Sequence, residues 1–237
     1  MTGTGTEVGK TVVAAVIAHS LAKEGKRVAV FKPAVTGLDE LAAGGPEGDT
    51  AGDLSAHRRG NAADHELLRL AAGSRQNDDE IAPYRYGPPM SPHLAAELAG
   101  EEIEPARLLR AANAAAAGAD LLVCEGVGGL LVPLAPDYLV RDLAADLSLP
   151  LVIAASPGLG TINHTLLTIE AARGTGLEVA AVVLTPWPEQ PTAIEESNRE
   201  TIAALGKVEV ETLPRLDLSR PESWPKTLAS HPPSTGG

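Results

Sequence analysis

Four residues, Lys10, Thr11, Lys32 and Glu125, have the types and settings that chemistry on a phosphate would need. GTGTEVGKT at 3–11 ends in Gly-Lys-Thr, where backbone N–H groups can close around oxygens and a lysine can meet β/γ-phosphates. A threonine hydroxyl can then reach Mg²⁺, all at a helix N-terminus whose dipole favours anions. The strict loop pattern wants glycine at position 4, which is threonine, while Gly3 falls one residue early; a plain Gly-rich turn is the competing reading. Lys32 follows an apolar run in FKPAVT, where an ordinary lysine is a solvated strand end. Glu125 ends LLVCEG before Gly126, Gly128 and Gly129, either as a turn acid or as a carboxylate able to hold a divalent cation.

These residues need strands that end together. Apolar positions Val13, Val16, Ile17 and Leu21 recur at helical spacing from Lys10 to Glu24, and Gly25 suits the helix C-terminus. KRVAVFKP, DLLVCEG at 120–126, LPLVIAAS at 149–156, LEVAAVVLT at 177–185 and KVEVETLP read as strands. Helices are expected at 105–117, 161–173 and 192–205. Near-continuous apolar strands alternating with helices predict one α/β domain, with a mostly parallel sheet flanked by helices on both faces. Ligands of such sheets sit at the C-terminal strand ends, which puts Lys10, Lys32 and Glu125 on one crevice. The domain is expected over 1–218, with a variable loop at 37–63 and a disordered tail at 219–237, rich in Pro and Ser.

Composition narrows the function classes. A formal net charge of −12 argues against nucleic acid as a partner. One cysteine, Cys124, excludes an internal disulfide and a cysteine-built zinc site, and suits a reducing cytoplasm. No apolar run approaches the ~20 residues of a membrane span.

Taken together, GTGTEVGKT, KPAVTG, PYRYGPPMSPH at 83–93, CEGVGGLLVPL at 124–134 and LGTINHTLLT at 159–168 resemble dethiobiotin synthetase, a P-loop NTPase-like ligase family, from about residue 2 to 215. The extra residue between the loop glycines is characteristic of that family. The resemblance implies a cyclo-ligase of biotin biosynthesis that converts 7,8-diaminononanoate, CO₂ and ATP into dethiobiotin, ADP and phosphate. An amine takes CO₂ as a carbamate, the carbamate attacks the γ-phosphorus, and the second amine closes the ureido ring and expels phosphate.

Carried over by motif, Lys10 would meet the β/γ-phosphates, and Lys32 the carbamate and the transferring phosphoryl group. Thr6 and Glu7 would act beside the γ-phosphate and the amines. Gly5, Val8 and Gly9 complete the ATP loop. Thr11, Glu125 and, at the family's spacing, Asp64 would hold Mg²⁺. Asp64 could instead be a helix cap, and Asp49 and Asp53 are weaker candidates for the same role. Thr36, where a serine is frequent, and Ser91 would line the substrate pocket. Gly160, Thr161 and Asn163 would hold the substrate carboxylate across a homodimer interface, with His164 a packing or interface residue. Thr185 stands where many members place an adenine-reading asparagine, and Pro214 falls where the family contacts the base but among different neighbours, which leaves open a relaxed or a non-adenine base preference.

Two alternatives are weaker. A cobyrinate-type amidoligase would want a fused glutaminase domain with a cysteine nucleophile. A partition-type ATPase would want a second lysine where Gly5 stands. Family members also carry an apolar first strand ahead of the loop, and Met1 stands where that strand should end. The expectation is therefore a start placed several residues late rather than a sheet lacking its central strand.

Overall fold

In the computed structural model residues 1–42 and 63–225 are described. Most of the loop expected at 37–63, with Asp49 and Asp53, lies outside them, as do residues 226–237 of the expected tail. The chain runs β1 (Thr2–Gly3), α1 (Lys10–Lys23), β2 (Val28–Phe31) and α2 (Leu38–Ala42). After the segment outside the description come α3 (Asp64–Ala72), α4 (Asp78–Ile81), α5 (Pro92–Leu98), α6 (Pro105–Ala116) and β3 (Leu121–Cys124). A hairpin of β4 (Pro133–Ala135) and β5 (Tyr138–Leu139) precedes α7 (Val140–Asp146), β6 (Leu151–Ala155) and α8 (Thr161–Arg173). The chain then continues through β7 (Val179–Trp187), α9 (Ala193–Gly206) and β8 (Glu209–Pro214).

The fold is a single α/β domain built on parallel strands. β1, β6, β7 and β8 pair in that order, and β2 pairs with β3. The first residues join the two groups: the Met1 amine donates to Cys124 O (2.7 Å), and Met1 O accepts from Gly126 N (2.9 Å). On the other side Thr2 pairs with Ile153, and Thr4 N donates to Ala154 O (3.0 Å).

Strand side chains alternate between faces, and the core divides accordingly. Val28, Val30, Val123, Ala154 and Val183 pack on the face covered by α1 and α3. Phe31 packs on the opposite face with α6 and α7, and Ile153, Ala155, Val182 and Leu184 with α8 and α9. The helix from Lys10 is buried nearly all round in its first half, where periodicity alone suggested one apolar stripe. The difference arises because α3, packed beside α1 on the same sheet face, covers a flank of α1 that the sheet does not reach.

Three features went beyond the sequence reading. The β4–β5 hairpin and α7 occupy 133–146, where the sequence reading placed no element. β7 runs two residues past Thr185, to Trp187. Trp224, in the expected tail, is 5% exposed; its indole donates to Asp217 O (2.9 Å) and its ring meets His19 edge-on at 5.3 Å. The packed chain thus reaches past 218, because one large aromatic finds an apolar seat on α1.

Between β3 and β6, behind Met1, lies an apolar slot of about 430 Å³. Ile17 and Leu21 of α1, Val123 of β3, Leu143 of α7, Leu147 just after it and Val152 of β6 line it. Among the described residues no strand pairs with β3 on this side before Cys124, nor with β6 before Ile153. Burial in this slot lowers the pKa of the Met1 amine, since one bond to Cys124 O does not replace the water it loses. No helix among the described residues is long and apolar enough to cross a membrane.

Candidate active site

The glycines of the N-terminal loop have separate geometric tasks. A Cβ on Gly3 would lie 2.6 Å from Val8 Cγ2 and 2.9 Å from Lys10 Cγ, so only glycine lets the loop fold back over β1. Gly3 was absent from the sequence-derived site; its signal was the doubled glycine of TGTGT. Gly9 takes a left-handed conformation (φ 83°) immediately before α1, and a Cβ there would meet Thr185 Cγ2 at 2.6 Å. Glu7 at the loop's apex also has positive φ (60°), a conformation that costs a non-glycine residue of order 1 kcal/mol. Thr6 and Glu7 are exposed, and Gly5 and Val8 half-buried. The Lys10 ammonium donates to Gly5 O (2.7 Å), folding its side chain along the loop.

Strand ends bring in the rest. β2 and β3 pair in register from Val28↔Leu121 to Phe31↔Cys124, so the next residues, Lys32 and Glu125, emerge side by side. Lys32 Nζ donates to Glu125 Oε1 (2.8 Å) and lies 3.2 Å from Asp64 Oδ2. Thr11 Oγ1 donates to the same Glu125 oxygen (2.7 Å). The Lys32 and Glu125 side chains are 4% and 1% exposed, that of Asp64 48%. Asp64 is the first residue of α3 rather than its cap; Glu66 Oε2 accepts from Ala63 N (2.9 Å) and takes the capping task.

Burial works against charge on both lysines, with opposite outcomes. For Lys10 desolvation dominates, only partly offset by Glu125, and the pKa falls to about 8. For Lys32 burial is outweighed by Glu125 and Asp64, which hold its proton beyond the usual lysine range. Cys124, half-buried behind Glu125, has its thiol pushed up to about 11 by desolvation, as suits an inert side chain.

Glu125 Oε2 is buried and makes no hydrogen bond among the described residues. A buried carboxylate oxygen without a donor costs free energy unless a cation or water meets it. Together with the Thr11 hydroxyl and the Asp64 carboxylate, this fits a hard divalent cation completed by phosphate oxygens and water. No cluster of three or more His, Cys, Asp or Glu forms among the described residues, so a site closed by protein ligands alone is not built there.

The remaining expected residues sit around this group. Thr185 is buried against Gly9, and Pro214 is exposed at the end of the neighbouring β8. Thr36 and Ser91 are half-buried, Ser91 standing just before α5. Gly160 (φ 92°) precedes α8, with Asn163 exposed and Thr161 buried against Thr165 (3.4 Å between hydroxyls). Among the described residues no hydrogen bond or ion pair joins Thr36, Ser91, Gly160, Thr161 or Asn163 to the lysine–carboxylate group.

Comparison with known proteins bears on this arrangement. A family model described as an AAA domain matches residues 1–223. The ATP-dependent dethiobiotin synthetase BioD of Rhodococcus erythropolis is 40% identical over 210 residues, covering 88% of this chain and 83% of that protein. The enzyme of the same name from Bacillus cereus (strain G9842) is 38% identical over 210 residues, 89% of this chain and 79% of its own length. That from Anaeromyxobacter dehalogenans (strain 2CP-1) is 41% identical over 184 residues, 78% and 74% of the two chains.

Proposed function

The chain belongs to the family of ATP-dependent dethiobiotin synthetases, and on that premise we propose how its residues divide the work of closing a ureido ring. The substrates are 7,8-diaminononanoate, CO₂ and ATP. A carbamate formed on one amine attacks the γ-phosphorus through oxygen, and ADP leaves. The second amine then attacks the carbonyl carbon of the resulting carbamic–phosphoric anhydride, the ring closes, and phosphate departs. Little covalent chemistry falls to the protein; positioning and charge stabilisation carry the rate.

The observation that carries this reading is Lys32, a buried lysine kept charged by Glu125 and Asp64 at the mouth of a phosphate loop. Its ammonium would hold the carbamate and the transferring phosphoryl oxygens. Lys10, now folded onto Gly5 O, would swing to the β/γ-phosphates, with the N–H groups of Gly5 through Thr11 around them and Thr6 and Glu7 beside the γ-phosphate and amines. Thr11, Asp64 and Glu125 would hold Mg²⁺, which when bound offsets charge on the phosphate oxygens. Thr36 and Ser91 would line the diamine pocket.

The N-terminus of α8, with Gly160, Thr161 and Asn163, would take the substrate's carboxylate from the neighbouring subunit of a homodimer. Thr185 packs on Gly9, and with Pro214 it would border the base. A buried threonine gives little hydrogen-bond readout of a base, which supports a relaxed base preference. The reading places the enzyme in the cytoplasm, with no nucleic-acid or membrane partner.

The test is an assay with protein, diaminononanoate, bicarbonate, ATP and Mg²⁺. Phosphate release is expected only with the diamine present, and CTP or GTP should replace ATP with modest loss. Diamine-independent hydrolysis that DNA or lipid stimulates would overturn the reading.

A further inference from the structure

The turn that leads into α8 is held from outside by one side chain. The amide nitrogen of Asn198, a buried residue in the first half of α9, donates to two consecutive carbonyls, Pro157 O (2.9 Å) and Gly158 O (3.1 Å). The turn itself is SPGLG at 156–160, with two glycines and a Leu159 that is 96% exposed. Its own backbone ties are weak: Thr161 N to Gly158 O and His164 N to Gly160 O, each 3.3 Å. At the far end of α8, Arg173 donates to Gly206 O (2.6 Å), the last residue of α9, and to Lys207 O (3.1 Å) just past it. A Cβ on Gly206 would lie 2.9 Å from Ile169 Cδ1, so the two helices are in close contact between these ties.

Peptide planarity turns this tether into an orientation. In a trans peptide the C=O and the following N–H point in opposite directions. Drawing the carbonyls of Pro157 and Gly158 toward α9 aims the N–H groups of Gly158 and Leu159 away from it. Among the described residues no hydrogen bond is donated by the N–H of Gly158, Leu159, Gly160, Ile162 or Asn163. Five donors therefore stand open over six residues at the positive end of a 13-residue helix.

We propose that Asn198 is a positioning residue for substrate recognition: it fixes the peptide planes of 157–159 so that this run of N–H groups presents one concave surface to the substrate's carboxylate. It touches no reacting atom and acts only through the turn. The assignment rests on the reading of α8 as the carboxylate site, and adds the residue that shapes it. Without the amide the glycine-rich turn samples other orientations, and the donors no longer converge.

The test compares the diamino acid with its methyl ester in steady-state kinetics of the wild type, Asn198→Ala and Asn198→Asp. Asp is nearly isosteric but places a carboxylate oxygen against two carbonyls. Loss of two hydrogen bonds predicts a KM for the diamino acid raised ~10- to 30-fold, with kcat and the KM for ATP within about twofold of wild type. The ester's KM should be the same in all three proteins. Asn198→Ser, with one shorter donor, should fall between wild type and Ala, and it carries the test if Ala does not fold. Equal KM increases for acid and ester would make Asn198 merely structural and overturn the proposal, as would an Asp variant indistinguishable from wild type. A wild type that does not distinguish acid from ester would instead remove the carboxylate reading of α8, and the assignment with it.

Discussion

Strands β1, β3 and β6 meet at a seam whose two ends differ. At their C-terminal ends Lys10, Thr11, Lys32, Asp64 and Glu125 converge, and all five side chains have a polar partner within 3.2 Å that belongs to another element or to the loop. At the N-terminal ends the strand edges face an apolar slot of about 430 Å³, and the buried Met1 amine stands at its inner limit. Edge groups and apolar walls accept an extended apolar segment at low cost; a buried ion group accepts little change. The contrast teaches that tolerance is local: one seam holds both the least and the most adjustable parts of the sheet.

The largest expected effect comes from breaking the closed end. Lys32→Gln keeps hydrogen-bond donors but removes the charge that offsets Glu125 and Asp64 and that, in the proposed mechanism, would meet the transferring phosphoryl group. Loss of one preorganised electrostatic group lowers kcat by ~10² to 10³, read as diamine-dependent phosphate release. ADP affinity should change much less, because in the proposed division of roles Lys10 and the loop amides would carry it. Turnover within tenfold of wild type would show that the reacting centre lies elsewhere.

The open end predicts a gain instead. A chain extended at the Met1 nitrogen by four or five alternating Val and Ile residues should run back between β3 and β6, replacing a buried amine with a peptide N–H. Each such residue gains about 1.5–3 kcal/mol on burial, and loses ~1.5–3 kcal/mol to backbone and side-chain ordering. The surplus comes from ladder hydrogen bonds of ~1 kcal/mol each, for a net of about 2–4 kcal/mol. That corresponds to a Tm rise of roughly 5–10 °C for a chain of this size. A Ser/Asn/Gly extension of equal length is the control, and an equal rise with it would show that the slot does not select an apolar strand.

How far the sequence exposed these two ends follows from the range of the interactions that make them. Lys10 and Thr11 are neighbours in a local motif, and Lys32 and Glu125 end two apolar runs, so short-range pattern located all four. Asp64 required counting across a segment of weak periodicity, and the Lys32–Asp64 pair supports that spacing. The all-round burial of α1, the seat of Trp224 and the contact of Thr185 with Gly9 depend on partners over 40 residues away, which no local periodicity encodes. Asn198 carried only a faint signal, an amide four residues before the buried Ile202 on the same helix face.

The smallest effect sharpens the closed end by separating its two lysines. Lys32 keeps its proton through alkaline pH, because Glu125 and Asp64 outweigh its burial. Lys10, with a pKa lowered to about 8 by burial, is largely neutral in the free enzyme at pH 9. Nucleotide phosphates favour its charged form, so binding above pH 8 must take up a proton. The sign follows: affinity is greatest below pH 8 and weakens as pH rises, by up to about tenfold per unit, or ~1.4 kcal/mol. Calorimetry of nucleotide binding at pH 8.5 in buffers of different ionisation enthalpy should register about three-quarters of a proton taken up. Lys10→Arg, permanently charged, should bind with no uptake and a flat profile from pH 7 to 9. Equal uptake in both proteins would assign the titration to another group.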